Sequence, residues 1–168
     1  MTRPQESAAA GFERFVAARG RHLWRAAWLL VGDDHHAEDL VQTALTKTYS
    51  RYASMADDRR FEAYVRTTIY RTFVSWWRLR SWRDESPRAE VPDAGGSVDD
   101  AELRHDVLRA MDSLPRMQRA VLVMRFFEDR STADVAQALG ISEGTVKRYV
   151  HRGCATLRGS ELLSEVKP

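Results

Sequence analysis

The stretch that most constrains this chain is Ser131-Thr132-Ala133-Asp134-Val135-Ala136-Gln137-Ala138-Leu139-Gly140-Ile141-Ser142-Glu143-Gly144-Thr145-Val146-Lys147-Arg148-Tyr149-Val150-His151-Arg152. Val135, Ala136 and Leu139 recur at helical spacing, behind a Ser131 or Thr132 whose hydroxyl can accept from unpaired backbone N–H groups. Gly140 then ends the first helix, because it takes a left-handed backbone without a Cβ clash. Ile141 plugs the turn and Ser142 caps a second helix, with Val146, Val150 and Leu157 on its inner side. A small residue at Ala136 lets the two helices cross closely, so the spacing predicts a helix-turn-helix. The outer face of the second helix carries Lys147, Arg148, His151, Arg152 and Arg158. Such a helix can enter a major groove with base edges before it and phosphates beside it, which points to DNA.

The rest of the chain reads as further helices. From Gly11 a helical period runs through Phe12, Phe15, Val16, Leu23, Trp24, Ala27, Trp28 and Val31, after a loose tail at 1–10. Gly32 supplies a stop and Asp33 or Asp34 a new cap. Ala37, Leu40, Val41, Ala44, Leu45, Thr48, Tyr49 and Tyr52 continue on one face, with Glu38, Asp39, Gln42, Thr43 and Lys47 opposite. Residues 53–60 break the pattern and read as a loop. A third helix is expected from about Phe61 to Arg83, its inner side Phe61, Val65, Ile69, Phe73 and Trp76. Its other side carries Arg66, Tyr70, Arg71, Trp77, Arg78 and Arg80, cations interleaved with aromatics, which suits bases stacked in a single strand. Residues 84–98 hold two prolines, two glycines and several acids without any period, and read as a flexible linker. Helices resume near Asp99, with Leu103, Val107, Ala110, Met111 and Leu114 inward and Pro115 opening the next helix. The expected fold class is therefore all-α: two small helical domains, 11–83 and 99–160, joined by the acidic linker 84–98.

Charge is distributed rather than accumulated. The formal net charge is only +2, yet residues 51–83 carry eight Arg against Asp57, Asp58 and Glu62, and residues 84–106 carry eight acids against Arg88 and Arg104. Two basic blocks around an acidic connector suggest two modules that face polyanions. One cysteine, Cys154, permits no internal disulfide and is at ease in a reducing cytoplasm. No apolar run of signal-peptide or membrane-spanning kind is present, so a cytoplasmic protein is expected. Asp33-Asp34-His35-His36 contains metal-ligating types, but neighbours at a helix start diverge and no second cluster accompanies them, so no metal and no cofactor are expected. There is no phosphate-binding glycine loop and no nucleophile motif, hence no enzyme and no small-molecule substrate.

Asp39-Leu40-Val41-Gln42 on an amphipathic helix, an aromatic-basic helix, a linker and Gly144-Thr145-Val146-Lys147 in a terminal helix-turn-helix together resemble the extracytoplasmic-function (ECF) sigma factors of bacterial RNA polymerase. Phe15–Trp82 is most similar to the actinobacterial sigma-E-like subgroup. The resemblance implies that 11–83 is region 2 and 99–160 region 4. It implies that Glu38, Asp39, Leu40, Gln42 and Thr43 grip the clamp helices of core polymerase, whose flap meets region 4. The loop Tyr52–Arg60, with Asp57, Asp58 and Arg59, would capture a flipped base of the −10 element, offsetting the few kcal/mol of lost stacking. Arg66, Tyr70, Arg71, Trp77 and Arg78 would hold the separated strand. Thr145, Lys147, Arg148, His151 and Arg152 would read the −35 element. An anti-sigma factor, or contact between the two domains, would hold the free protein inactive. Two positions depart from the family pattern: Thr132-Ala133 replaces an aromatic-acidic pair, and Gly153 stands where alanine is common, predicting a recognition helix loosened by about 1 kcal/mol. The competing reading is a stand-alone helix-turn-helix regulator, which has no use for the Glu38–Thr43 patch.

Overall fold

The computed structural model describes residues 5–55, 57–76 and 98–160. They divide into two compact units, separated near residue 80. Every regular element among the described residues is helical.

The first unit packs α1 (Gln5–Val31), α2 (Asp34–Tyr52) and α3 (Asp58–Trp76) against one another. Helix α1 begins at Gln5, six residues before the expected start at Gly11. Its inner stripe of Phe15, Leu23, Ala27 and Trp28 is joined by Ala26 and Leu30. Gly32 stops it at φ 71°, donating to the Trp28 carbonyl at 2.7 Å. Asp33 then caps α2, its carboxylate accepting from the His36 backbone at 2.9 Å and meeting the His36 ring at 2.8 Å. Asp34 accepts from the Trp28 indole at 3.0 Å, tying the start of α2 to α1. The Asp33–His36 run is thus occupied with ending one helix and starting the next.

The core of this unit is aromatic at one end. Phe12, Phe15, Tyr52 and Phe61 meet edge-to-face or tilted, with centroids 4.9–6.3 Å apart, arrangements that favour the ring quadrupoles. The Tyr52 hydroxyl donates to Asp58 at 3.2 Å. Gly11 lies against that ring so closely that a Cβ there would come within 2.8 Å of the hydroxyl. The expected loop at 53–60 is shorter than its composition suggests: Asp57 accepts from the Arg60 backbone at 2.8 Å, and α3 starts at Asp58. The expected end of that helix at Arg83, with Trp77, Arg78, Arg80 and Trp82, lies outside the described residues, as does the linker up to Ser97.

The second unit contains α4 (Val98–Met111), α5 (Arg116–Leu122), α6 (Thr132–Leu139) and α7 (Glu143–Arg158). Pro115 sits one residue earlier than expected, as the cap (φ −54°, ψ 144°) rather than the first helical residue. Helix α5 runs on through one π turn, Val123–Phe127, closed by Glu128 donating to the Val123 carbonyl at 3.1 Å. The wider turn inserts a residue and rotates the register. Ala120 through Met124 are all buried, and Phe126 and Phe127 emerge at 65% and 43% exposure.

The helix-turn-helix follows its sequence closely. Ser131 accepts from the Asp134 backbone at 3.0 Å, Gly140 closes α6 at φ 66°, and Ile141 donates to the Ala136 carbonyl. Ser142 caps α7 by accepting from the Thr145 backbone at 3.1 Å. Val135, Ala136, Ala138 and Val146 are buried between the helices. Gly153 corrects an expectation. It is buried where α7 meets α5, and a Cβ there would lie 2.8 Å from Cδ1 and 3.2 Å from Cγ of Leu122. The glycine permits the close approach of the recognition helix.

Candidate nucleic-acid and polymerase interface

Helix α7 carries two cationic stripes rather than one. At about 100° per residue, Thr145, Arg148 and Arg152 fall on one line and Lys147, His151, Cys154 and Arg158 on another. Lys147, Arg148, His151 and Arg152 are all exposed, while Thr145 is half-buried with its hydroxyl 2.8 Å from that of Ser142. The second stripe lines a cleft of about 390 Å³ together with Arg125, Phe126, Thr132 and Val150. Arg125 closes that side by donating to the Arg130 carbonyl, at a turn where Asp129 adopts φ 52°. Arg148 and Arg152 therefore point away from the cleft. The arrangement offers bidentate guanidinium groups on the outer line and point charges beside it.

In α2, Glu38, Asp39 and Gln42 are exposed and Thr43 is half-buried. Leu40 is wholly buried, because it falls one turn from Ala37 and Ala44 on the core side. It supports the patch from beneath and is not part of the surface. Next to Gln42 a groove of about 340 Å³ runs between α1 and α2, lined by Phe12, Val16, Gln42, Leu45, Thr46 and Tyr49. Tyr49 is 49% exposed and its ring meets Phe12 edge-on at 4.8 Å.

The third set of expected residues is divided by the structure. Asp57, Asp58, Arg59, Arg60 and Arg71 are exposed. Tyr52 and Tyr70 are buried at 2% and 0%, so neither ring is presented to a base in this state. Arg66 is also inside: its Nε and Nη2 donate to one Glu62 oxygen at 3.2 and 2.8 Å, and Arg19 reaches the other oxygen at 3.3 Å. The reason is the helical period, since Arg66 and Tyr70 flank Val65, Ile69 and Phe73 closely enough to share their wall. Trp77 and Arg78 lie outside the described residues.

Sequence reasoning missed Arg125 and Phe126 at the cleft and Phe12, Val16 and Tyr49 as groove walls. The π turn that exposes Phe126 has no periodic signature. Tyr49, at i+4 from Leu45, follows the core period in the sequence, yet it stands at the rim of the groove.

The fold and these surfaces define a two-unit helical protein ending in a helix-turn-helix. Residues 15–83 match the family described as Sigma-70 region 2, and residues 104–157 match Sigma-70, region 4. The chain is 44% identical over 151 residues to an RNA polymerase sigma-E factor of Streptomyces avermitilis, covering 88% of this chain and 83% of that one. It is 32% identical to the ECF RNA polymerase sigma factor SigL of Mycobacterium tuberculosis, covering 81% and 80% respectively. Among solved structures it is similar to the sigma factor RpoE of Bartonella quintana, solved in complex with the anti-sigma factor NepR: TM-score 0.70, 25% identity, 94% of this chain and 99% of that one. The fold is shared with CnrH, solved in complex with the cytosolic domain of CnrY, at TM-score 0.62 and 21% identity over 96% of each chain. The chain belongs to the ECF sigma factors of bacterial RNA polymerase. No described helix is long and apolar enough to cross a membrane.

Proposed function

We propose that this sigma factor joins core polymerase in the cytoplasm through residues 11–83 and selects promoters with both modules, the second being 99–160 beyond the linker 84–98. Glu38, Asp39, Gln42 and Thr43 meet the polymerase clamp helices, and Leu40 holds their helix in place. Asp57, Asp58, Arg59 and Arg60 border the flipped −10 base, and Arg71, Trp77 and Arg78 follow the separated strand. Tyr52 and Tyr70 shape the wall beneath them, and Arg66 serves from its ion pair with Glu62. Arg148 and Arg152 read base edges of the −35 element beside Thr145, with Lys147 and His151 toward phosphate. The observation that carries the reading is the outer line Thr145–Arg148–Arg152 on a helix whose start is fixed by Ser142 and whose axis is fixed at Gly153. The protein is not itself a catalyst; it confers promoter choice on one. An anti-sigma factor is the expected partner in the resting state, a reading supported by the similar sigma factor RpoE of Bartonella quintana, solved in complex with the anti-sigma factor NepR.

The test is transcription from a genomic promoter library by purified core polymerase, with and without this chain. New transcripts that share spaced −35 and −10 elements, and vanish with Asp39→Ala and with Arg152→Ala, are the expected result. Specific duplex binding without any dependent transcript would leave the stand-alone regulator as the better account.

A further inference from the structure

We propose that the cleft beside α7 binds a nucleoside di- or triphosphate, a small-molecule effector that competes with duplex DNA for the second cationic stripe. Binding stands on the cleft alone. The competition rests on the reading that Lys147 and His151 face DNA phosphate, so failure of that reading leaves the binding site standing. Charge is the first feature. Lys147, His151 and Arg158 enter the cleft from α7, and Arg125 enters it from the π turn. Among the described residues that line the cleft none is acidic. Glu128, close by in sequence, is drawn to Arg130 at 3.0 Å, and Arg125 is held in the wall by donating to the Arg130 carbonyl. Three permanent cations and an imidazole without a carboxylate among them form a field that a polyanion fits. Lys147 and Arg158 are eleven residues apart on α7, about 16 Å at 1.5 Å per residue, which suits a row of phosphates better than a single one.

The apolar part of the cleft describes the rest of the ligand. Phe126 is 65% exposed, because the π turn carries it out of the core that Ala120 through Met124 occupy. Val150 and Cys154, one turn apart and half-buried, line the same cleft. An open ring beside an apolar wall is a platform on which a base stacks, and a bare phosphate has no use for it. Among the described lining residues Phe126 is the only ring, and at about 390 Å³ the cleft lies at the small end of ligand pockets. One nucleotide fits these terms better than a run of single strand. Its phosphates take up Lys147 and His151, while Arg148 and Arg152 stay free on the outer line. Occupancy therefore weakens all duplexes alike and leaves base preference unchanged.

Cys154, the only cysteine of the chain, is a reporter in the cleft wall. Its alkylation by iodoacetamide is followed by mass spectrometry on the full-length chain, with ATP, GTP, ADP, pyrophosphate or a short DNA duplex. Calorimetry gives the affinity of the same four phosphates for the parent, Phe126→Ala, Arg158→Ala and Arg148→Ala. Phe126 and Arg158 are exposed, so neither substitution opens the core, and thermal melting checks each fold. The expected result is slower alkylation with each nucleotide, and nucleotides bound about tenfold more tightly than pyrophosphate, the worth of one base–aromatic stack. Phe126→Ala should abolish that difference, Arg158→Ala should weaken nucleotides and pyrophosphate together by about tenfold, and Arg148→Ala should change neither. Pyrophosphate bound as tightly as the nucleotides, or a Phe126→Ala variant with parental affinity, would overturn the inference. So would protection of Cys154 by the duplex and by no nucleotide, since the cleft would then seat only the DNA backbone. Nucleotide binding as expected, with duplex affinity unchanged at matched ionic strength, would overturn the competition and the assignment of Lys147 and His151 to phosphate.

Discussion

Gly153→Ala separates two opposite views of the recognition helix. By helix propensity alone, alanine inside a 16-residue helix should stabilise α7 by about 1 kcal/mol. The structure argues the other way. The new Cβ would stand 2.8 Å from Cδ1 and 3.2 Å from Cγ of Leu122. Two atoms of the side chain are involved, so relief requires the whole isobutyl group to move, not one methyl to swing. Leu122 is 4% exposed and sits among Ala120, Val121, Val123 and Met124, which are buried too. Overpacking of a filled site costs about 1–3 kcal/mol, which exceeds or cancels the propensity gain. The expected net effect is a destabilisation of up to about 2 kcal/mol, concentrated where α7 meets α5.

Gly144 supplies the internal reference. It lies in the first turn of the same helix, exposed, with nothing nearer to its Cβ position than the Ser142 hydroxyl at 3.9 Å. Gly144→Ala should therefore stabilise, by up to about 1 kcal/mol. Amide hydrogen exchange of peptides from 143–158 reads both effects within the second unit, which avoids treating two units as one cooperative transition. Gly153→Ala should speed exchange and Gly144→Ala slow it. Combining Gly153→Ala with Leu122→Val should recover part of the loss, a coupling that independent sites would not show. Slower exchange in both single variants would refute the packing argument and restore the propensity argument.

Further predictions follow from the two stripes and the caps. Arg152→Ala and Arg148→Ala should each weaken binding to the matched −35 duplex by about 1–3 kcal/mol and relax discrimination at one base pair, as measured across a panel of mutated duplexes. Lys147→Ala should instead weaken all duplexes alike and reduce the slope of log affinity against log salt by about 0.9. Ser142→Ala should lower the stability of the second unit by about 1 kcal/mol through loss of the cap to Thr145, visible as faster exchange at the start of α7. Leu40→Ala should cost about 2–5 kcal/mol of first-unit stability, whereas Asp39→Ala should leave the melting temperature unchanged and affect polymerase affinity only.

The helix-turn-helix was legible because each of its local devices is written in one residue type at one position. Ser131, Gly140 and Ser142 act within three or four residues of themselves, so their effect does not depend on what the rest of the chain does. The same holds for Gly32 and Asp33 between α1 and α2. Facing was harder, because a period of 3.6 residues leaves flank positions undecided and tertiary contacts then decide them. Arg66 reads from the sequence as part of the outer, basic-aromatic side of α3. The fold buries it by supplying Glu62 one turn earlier, a carboxylate that makes an inward guanidinium tolerable. Tyr70 follows one turn later on the same wall, and Tyr52 is drawn in by Phe12, Phe15 and Phe61 from two other helices. Gly153 is the converse case. Read alone it is a weak helix former, and only the position of Leu122, thirty-one residues earlier, makes its missing Cβ a requirement. What sequence reading could not supply in each case was the identity of the neighbour across the helix interface. The surfaces proposed here for DNA and polymerase are accordingly those in which exposure and residue type agree: Arg148 and Arg152 on one helix, Asp39 and Gln42 on the other.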